Sequence, residues 1–346
     1  MLKKLSMVLV FLGLLAGLGS YWGYQQLLGL AQRPLAVSED TVLEVPRGTS
    51  ANQLAQDLEE KGWIDDSRWL RALFKLRPEL TQLKAGEYHV KSNDRLEDLL
   101  LRINRAESIQ YRVTLIEGTT IPEILATLKQ QPALSYDLKS TNAAELAEEL
   151  AFEYPSAEGL FLAETYQFER GMSAKELLSR ANQMLLSNLE QQWQDRQPDL
   201  PLNSPYEALI LASIIEKETG LSSERPEIAG VFVRRLNLKM RLQTDPTVIY
   251  GMGERYDGNL RRQDLREKTA FNTYVINGLP PTPIATVGVD AIAASLNPLE
   301  GSSLFFVARG DGSHQFSDTL AQHNRAVKEY QLKRRSDYRS APEAKK

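Results

Sequence analysis

Twenty consecutive residues, Leu5 to Tyr24, carry no charged side chain. That is about the length a helix needs to cross a hydrocarbon core, and it fixes how the rest of the chain must be arranged. Lys3 and Lys4 precede the run, and Tyr21, Trp22 and Tyr24 close it in the manner of an interfacial aromatic belt. A cleaved signal peptide is the rival reading, but the run exceeds the usual apolar length and no A-x-A site follows it. The expectation is a single-pass anchor at 5–24 in the inner (cytoplasmic) membrane. Residues 1–4 then stay cytoplasmic and everything after Tyr24 is delivered to the periplasmic side.

The chain has 346 residues, enough for two or three folded units at roughly 100 to 200 residues each. Forty-one Lys and Arg stand against 45 Asp and Glu, so there is no global positive field for nucleic acid. With no cysteine, thiolate nucleophiles, disulfides and Cys-based metal sites are excluded. Three histidines, His89, His314 and His323, are too few for a His-rich metal cage. Carboxylate chemistry therefore comes forward.

After a polar stretch at 32–40, Thr41 to Val45 alternates as a strand does, and Ser50-Ala-Asn-Gln53 reads as a capping box. Arg47-Gly-Thr-Ser-Ala-Asn-Gln-Leu54 recurs in outline as Glu117-Gly-Thr-Thr-Ile-Pro-Glu-Ile124, which predicts two related strand-turn-helix modules. Helices at Ser67 to Leu76 and Arg95 to Ile103, with a strand at Glu87 to Val90, complete a small α+β unit at 41–105. A second module with a helical connector, Ala143 to Leu150 and Ala174 to Trp193, fills 110–203. A larger mixed α/β unit occupies 204–332, and 333–346 is a charged tail. The fold class is α+β.

Ser204-Pro-Tyr-Glu207 places an N-cap, a proline at the first helical position and a glutamate at the third, and Gly220 stops the helix. At about 100° per residue, Ile210, Leu211, Ile214 and Ile215 share an apolar face. Glu218 falls near the centre of that face and Glu216 points the opposite way. A carboxyl beside apolar side chains loses hydration, which raises its pKa and keeps the proton a general acid needs. The alternative is a helix-end carboxylate bonded by an arginine. Gln243, Thr244 and Asp245 form a polar cluster suited to sugar hydroxyls, or else Thr244 and Asp245 cap the helix that starts near Pro246. Phe271-Asn-Thr-Tyr274 leads into the proline-rich 278–284 loop, a groove wall or a stiff turn. Leu304 to Val307, Gly310-Asp-Gly312 and His314-Gln-Phe316 predict a hairpin, with His314 orienting a ligand or serving only as a structural hydrogen-bonder. G-x-S-x-G, H-E-x-x-H and phosphate-loop motifs do not occur, and no metal or nucleotide cofactor is indicated.

Five segments in this order resemble the endolytic murein transglycosylases of the YceG-like (MltG) type. They are Ala212-Ser-Ile-Ile-Glu-Lys-Glu218, Arg241-Leu-Gln-Thr-Asp-Pro-Thr-Val-Ile-Tyr-Gly251, Asn272-Thr-Tyr274, Gly278-Leu-Pro-Pro281, and His314-Gln-Phe-Ser-Asp-Thr319 followed by His323-Asn324. The resemblance implies that Glu218 is the catalytic acid and that Gln243, Thr244, Asp245, Tyr250, Asn272 and Tyr274 shape or bond the glycan. It also implies a LysM-like peptidoglycan-binding domain at 41–105, a membrane anchor, and a link to cell-wall synthases of the penicillin-binding protein type. In such a reaction the acid protonates the glycosidic oxygen between MurNAc and GlcNAc. As carboxylate it then helps the C6 hydroxyl close a 1,6-anhydro ring. The sequence departs from the family pattern at Ala163, Thr282 and Val287, in segments expected near the groove. Two rivals are a muramidase-type hydrolase with Asp245 as second carboxylate, and a membrane-anchored scaffold that binds peptidoglycan without turnover.

Overall fold

A computed structural model describes residues 2–332, with side chains described for only part of the first helix. The charged tail expected at 333–346 lies outside the described residues. The chain divides into two units, Met1–Tyr111 with Gln167–Gly171, and Arg112–Tyr166 with Met172–Lys346.

In the first unit, helix α1 (Leu2–Ala31) continues past the uncharged run, and its last residues, Leu30 and Ala31, join the unit's core. Among the described residues no helix is long and apolar enough to cross a membrane; most side chains of 5–24 lie outside that description. Strand β1 (Thr41–Val45) leads to α2 (Ala51–Glu60) and α3 (Ser67–Leu76), followed by β2 (Gly86–Val90) and α4 (Leu96–Asn104). β1 and β2 pair antiparallel from Thr41↔Val90 to Val45↔Gly86. Their period-two pattern puts Leu43, Val45, Tyr88 and Val90 on the face covered by Leu54, Leu70 and Leu99 of the helices. Ser50 Oγ accepts from the Gln53 amide and Gln53 Oε1 from the Ser50 amide, the reciprocal bonds of the predicted capping box.

Strand β3 (Tyr111–Thr114) opens the second copy of the pattern, and α5 (Ile121–Lys129) follows with its own reciprocal cap between Thr120 and Glu123. Next come α6 (Ala143–Glu149), β4 (Thr165–Phe168) and α7 (Ala174–Gln194). Helix α8 (Pro205–Glu218) starts as predicted: Ser204 Oγ accepts from the Glu207 amide, and Pro205 occupies the position where an N–H has no helical partner. The remaining elements are α9 (Arg225–Asn237), α10 (Asp245–Met252), α11 (Val289–Leu296), β5 (Phe305–Ala308), β6 (His314–Ser317) and α12 (Leu320–Val327).

Helix α8 is the axis of this unit, packed by α7, α9, α10 and α11. Every residue from Ala208 to Glu216 is buried, so its apolar surface is not a stripe but nearly a full cylinder. Complete burial of Leu211, Ile214 and Ile215 contributes roughly 1.5–3 kcal/mol each. α9 approaches the 298–301 loop through Gly230, where an added Cβ would meet the Leu299 carbonyl oxygen at 2.4 Å.

One expectation changes. The second strand-turn-helix module is not set apart from the region after Ser204, because Arg112–Tyr166 and Met172–Lys346 are one unit. Lys217 Nζ donates to the Gly118 carbonyl (3.0 Å), and the Gly118 and Thr286 amides bond to Thr286 and Thr119 carbonyls. Region 204–332 mixes helices with strands as expected, and among its described residues the strands amount to one hairpin, β5 and β6, paired from Phe305↔Ser317 to Ala308↔His314 as the 310–312 turn predicted.

Candidate active site

The end of α8, the start of α10, the β5–β6 hairpin and α12 enclose a cavity of about 460 Å³ in the second unit. Glu218, Gln243, Thr244, Asp245, Tyr274 and Arg235 line it, with Phe305, Phe306, His314 and His323 on the hairpin side.

Glu218 is the last residue of α8, partly buried, and its carboxylate oxygen Oε1 accepts a short hydrogen bond from Thr244 Oγ1. Burial is the main force on this carboxyl and raises it from 4.5 to about 7. The Thr244 hydroxyl and the cation of Arg235 pull the other way, while the charge of Asp245 pushes it up further. A carboxyl with that value holds a proton near neutrality and can take one back, as a general acid and then base requires.

Glu216, one half-turn earlier, is committed elsewhere. Its carboxylate pairs with Arg225 and accepts from the Gly288 amide (3.1 Å), and its side chain is 3% exposed. Arg225 also meets Glu117 (2.9 Å) and Asp290 (3.5 Å). The sequence placed Glu216 opposite Glu218, which holds, but that opposite face is interior because α9 and α11 cover it. Burial pushes Glu216 upward as well, so what separates the two carboxyls is access: Glu218 faces the cavity and Glu216 faces an arginine.

The polar cluster before Pro246 is brought to Glu218 by an unusual backbone. Gln243 has φ of 52°, in the left-handed region, and its amide donates to the Thr273 carbonyl (3.2 Å). This kink turns Thr244 inward, where it is 3% exposed, and leaves Gln243 and Asp245 outward. Thr244 is the N-cap residue of α10 by position, yet its hydroxyl goes to Glu218 and makes no capping bond. Its amide donates to Thr273 Oγ1 (3.0 Å), which also bonds Thr247 Oγ1 (2.9 Å). Tyr274 donates from its hydroxyl to Asp245 Oδ1 (2.7 Å), and burial with that bond pushes the phenol upward.

Two of the expected glycan contacts lie elsewhere. Asn272 is fully buried, and its Nδ2 donates to the carbonyls of Asp264 (3.0 Å) and Glu267 (2.8 Å) while Oδ1 accepts from the Tyr274 amide (2.9 Å). It holds the loop that presents Tyr274. Tyr250 packs edge-on against Phe271 and donates to Glu158 Oε2 (3.2 Å), away from the cavity lining. Glu158, 1% exposed and raised to about 7 by burial, has no signature in the sequence. The departures Thr282 and Val287 are interior: both are buried, and Val287 O accepts from the Ala163 amide (2.9 Å). The 278–284 loop braces α8, with the Ile284 amide donating to Ser213 Oγ (3.0 Å).

Sequence reasoning also missed Arg235, although its signal was present: it lies three after Phe232, four after Val231 and seven after Ile228, within the apolar face of α9. His314 Nδ1 bonds Glu224 Oε2 (2.8 Å), and its amide donates to Glu224 Oε1 (2.9 Å). His323 stacks on Phe305 at 5.3 Å, and burial with nearby Arg235 lowers its pKa.

The chain is 28% identical over 316 residues to a protein of Bacillus subtilis (strain 168) named endolytic murein transglycosylase, covering 85% of this chain and 86% of that one. An endolytic murein transglycosylase of Streptococcus pneumoniae (strain D39) is 27% identical over 93% of this chain, which spans 64% of the pneumococcal protein. A 2.6 Å crystal structure of a yceG-like protein from Listeria monocytogenes superposes with a TM-score of 0.51 at 27% identity, covering 84% of this chain and 99% of that one. The YceG-like family model matches residues 43–329, from the first strand to beyond the last helix that closes the cavity, and the chain belongs to that family.

Proposed function

We propose that the chain is an endolytic murein transglycosylase in which Glu218 is the sole protein acid and base. The observation that carries this reading is the uncommitted state of Glu218: a carboxyl at a cavity, raised toward neutrality by burial and bonded among the described residues only by a hydroxyl, two residues from a carboxyl locked in an ion pair. Glu218 donates its proton to the oxygen of the MurNAc–GlcNAc bond as that bond breaks. The resulting carboxylate accepts the proton of the MurNAc C6 hydroxyl as the hydroxyl attacks the anomeric carbon. The sugar supplies its own nucleophile, so proximity replaces a second protein carboxylate. Thr244 holds the Glu218 carboxyl, and Gln243, Asp245 and Tyr274 meet the glycan; Asn272 and Tyr250 act behind them through the loops they brace.

In this reading the uncharged run 5–24 is a single-pass anchor, supported by Lys3 and Lys4 before it and the aromatic belt after it. The catalytic unit then works on glycan strands at the outer face of the cytoplasmic membrane. The α+β unit at 41–105 is a LysM-like grip on the same polymer, beside the synthases that make it.

The test is mass spectrometry of fragments released from purified peptidoglycan by the intact protein and its Glu218→Gln variant. Anhydro ends that vanish in the variant support the reading. Reducing ends would mean attack by water, with Asp245 as second carboxylate. No fragments from the folded protein would leave a binding scaffold.

A further inference from the structure

Helix α9 carries two buried arginines whose surroundings differ in kind. Arg225 is 4% exposed and has three carboxylates within ion-pair distance, those of Glu216, Glu117 and Asp290. Arg235 is 7% exposed, and its contacts are neutral. Nε donates to the Leu304 carbonyl (2.7 Å), and Nη1 donates to the carbonyls of Leu242 (2.7 Å) and Arg241 (3.4 Å). The guanidinium also lies 5.1 Å from the Phe305 ring centre. Among the described residues no carboxylate is ion-paired with Arg235, and the hydrogen bonds it makes run from Nε and Nη1.

A buried guanidinium stays charged, and taking that charge out of water is unfavourable unless a counter-charge meets it. Arg225 has its counter-charges within the fold. Arg235 lines the cavity beside Glu218, which makes no ion pair with it and whose proton is held by burial toward neutrality. Three carbonyls lock the fork in place, so its remaining edge is held ready for a planar anion.

We infer that Arg235 is the anion-binding group of this cavity and that it takes a carboxylate carried by the muramyl part of the substrate. The inference rests on the murein reading above, and names which chemical feature of murein the site selects. Glycan built from N-acetylglucosamine alone has no such group. Murein has two sources of it: the carboxylates of the peptide stem where a stem is attached, and the lactyl carboxylate of the muramyl sugar where none is, since the stem is joined to that carboxyl as an amide.

The experiment measures binding by calorimetry with the full chain carrying Glu218→Gln, so that strands are not consumed. Native murein strands are compared with strands whose carboxylates have been converted to amides. One charge-assisted bond predicts roughly ten- to hundredfold tighter binding to the native strands. In the double variant with Arg235→Gln that ratio falls to about one. Equal binding to both strands by the single variant overturns the inference, as does a ratio that survives Arg235→Gln. If that variant does not fold, Arg235→Lys keeps the charge and loses the fork; an intermediate ratio supports the assignment and an unchanged ratio overturns it. Strands stripped of stems, which expose the lactyl carboxylate, separate the sources: a ratio seen only there assigns the lactyl carboxylate of bare muramyl residues, one seen only with stems assigns the stem, and one seen in both means the fork takes either. Cleavage by the unaltered protein is followed in parallel. Anhydro ends with carboxylate-independent binding remove Arg235 and leave the reaction; carboxylate-dependent binding without cleavage does the reverse.

Discussion

Glu216 and Glu218 stand two residues apart on one helix, both burdened by burial, and yet they end in opposite surroundings. The region around Glu216 is an electrostatic knot in which Arg225 meets Glu216, Glu117 and Asp290, and the Gly288 amide donates to Glu216. The region around Glu218 is left open: one hydroxyl, a cavity, and a cation with no ion pair. Desolvation acts on both carboxyls, so it does not by itself make a catalytic acid. In the proposed reaction, reach to the cavity and freedom from an ion pair single out Glu218.

The largest effect expected is on turnover. Glu218→Gln removes the transferable proton and lowers kcat by roughly 10²- to 10⁴-fold in a fragment-release assay; near-normal turnover would break the distinction between the two sites. The same variant has a thermal signature. Glu218 sits near 7 when folded, against an ordinary 4.5, so below about 4.5 the carboxyl is protonated in both states and its contribution is complete. Between 4.5 and 7 the unfolded chain ionises first and stability is lost. The Tm of Glu218→Gln should therefore exceed that of the unaltered protein at pH 8, with the gap closing toward pH 4.5.

Glu216→Ala should act on folding instead. Removing one partner of a buried pair costs about 3 kcal/mol, read as a lower denaturation midpoint in urea. A stable Glu216→Ala protein with lost turnover would place chemistry in the knot and invert the comparison.

A smaller change sharpens the Glu218 side. kcat/KM should fall as pH rises through about 7, when the acid loses its proton. Thr244→Val removes a bond that favours the ionised form, so this falling limb should move to higher pH. A limb that moves lower, or not at all, would mean that Thr244 does not govern the acid.

Least of all, Tyr250→Phe deletes the hydroxyl that meets Glu158 and should cost about 1 kcal/mol of stability with KM unchanged. A raised KM would return Tyr250 to the glycan.

Local signals were legible wherever the chain's neighbours in sequence decide the outcome. The Ser50 and Thr120 caps, the Ser204–Pro205 start of α8 and the hairpin at 310–312 all form as their residues dictate. The wheel chose Glu218 by an argument that was only half right. It assumed a polar back to α8, whereas α9 and α11 cover that back and make Glu216 interior too. The identities of these covering elements are long-range facts that periodicity does not carry. Asn272 shows the same limit: a polar residue in a motif looks like a ligand until its three hydrogen bonds are found to end on the main chain. Arg235 was readable by the same helical wheel, but its meaning depends on its having no ion pair among the described residues, which only the packing reveals.

Gly230 bears on any attempt to make this protein more robust by design. Replacing a mid-helix glycine with alanine is a standard stabilising substitution, favourable by roughly 1 kcal/mol in a free helix. Here the methyl group would strike the Leu299 carbonyl oxygen, and the helix or the loop would have to give way. α9 carries Arg225 at one end and Arg235 near the other, so a tilt of that rod would disturb the knot and the open cavity in one stroke. A propensity-driven redesign should therefore leave this glycine alone and look for its gains on exposed helices such as α2.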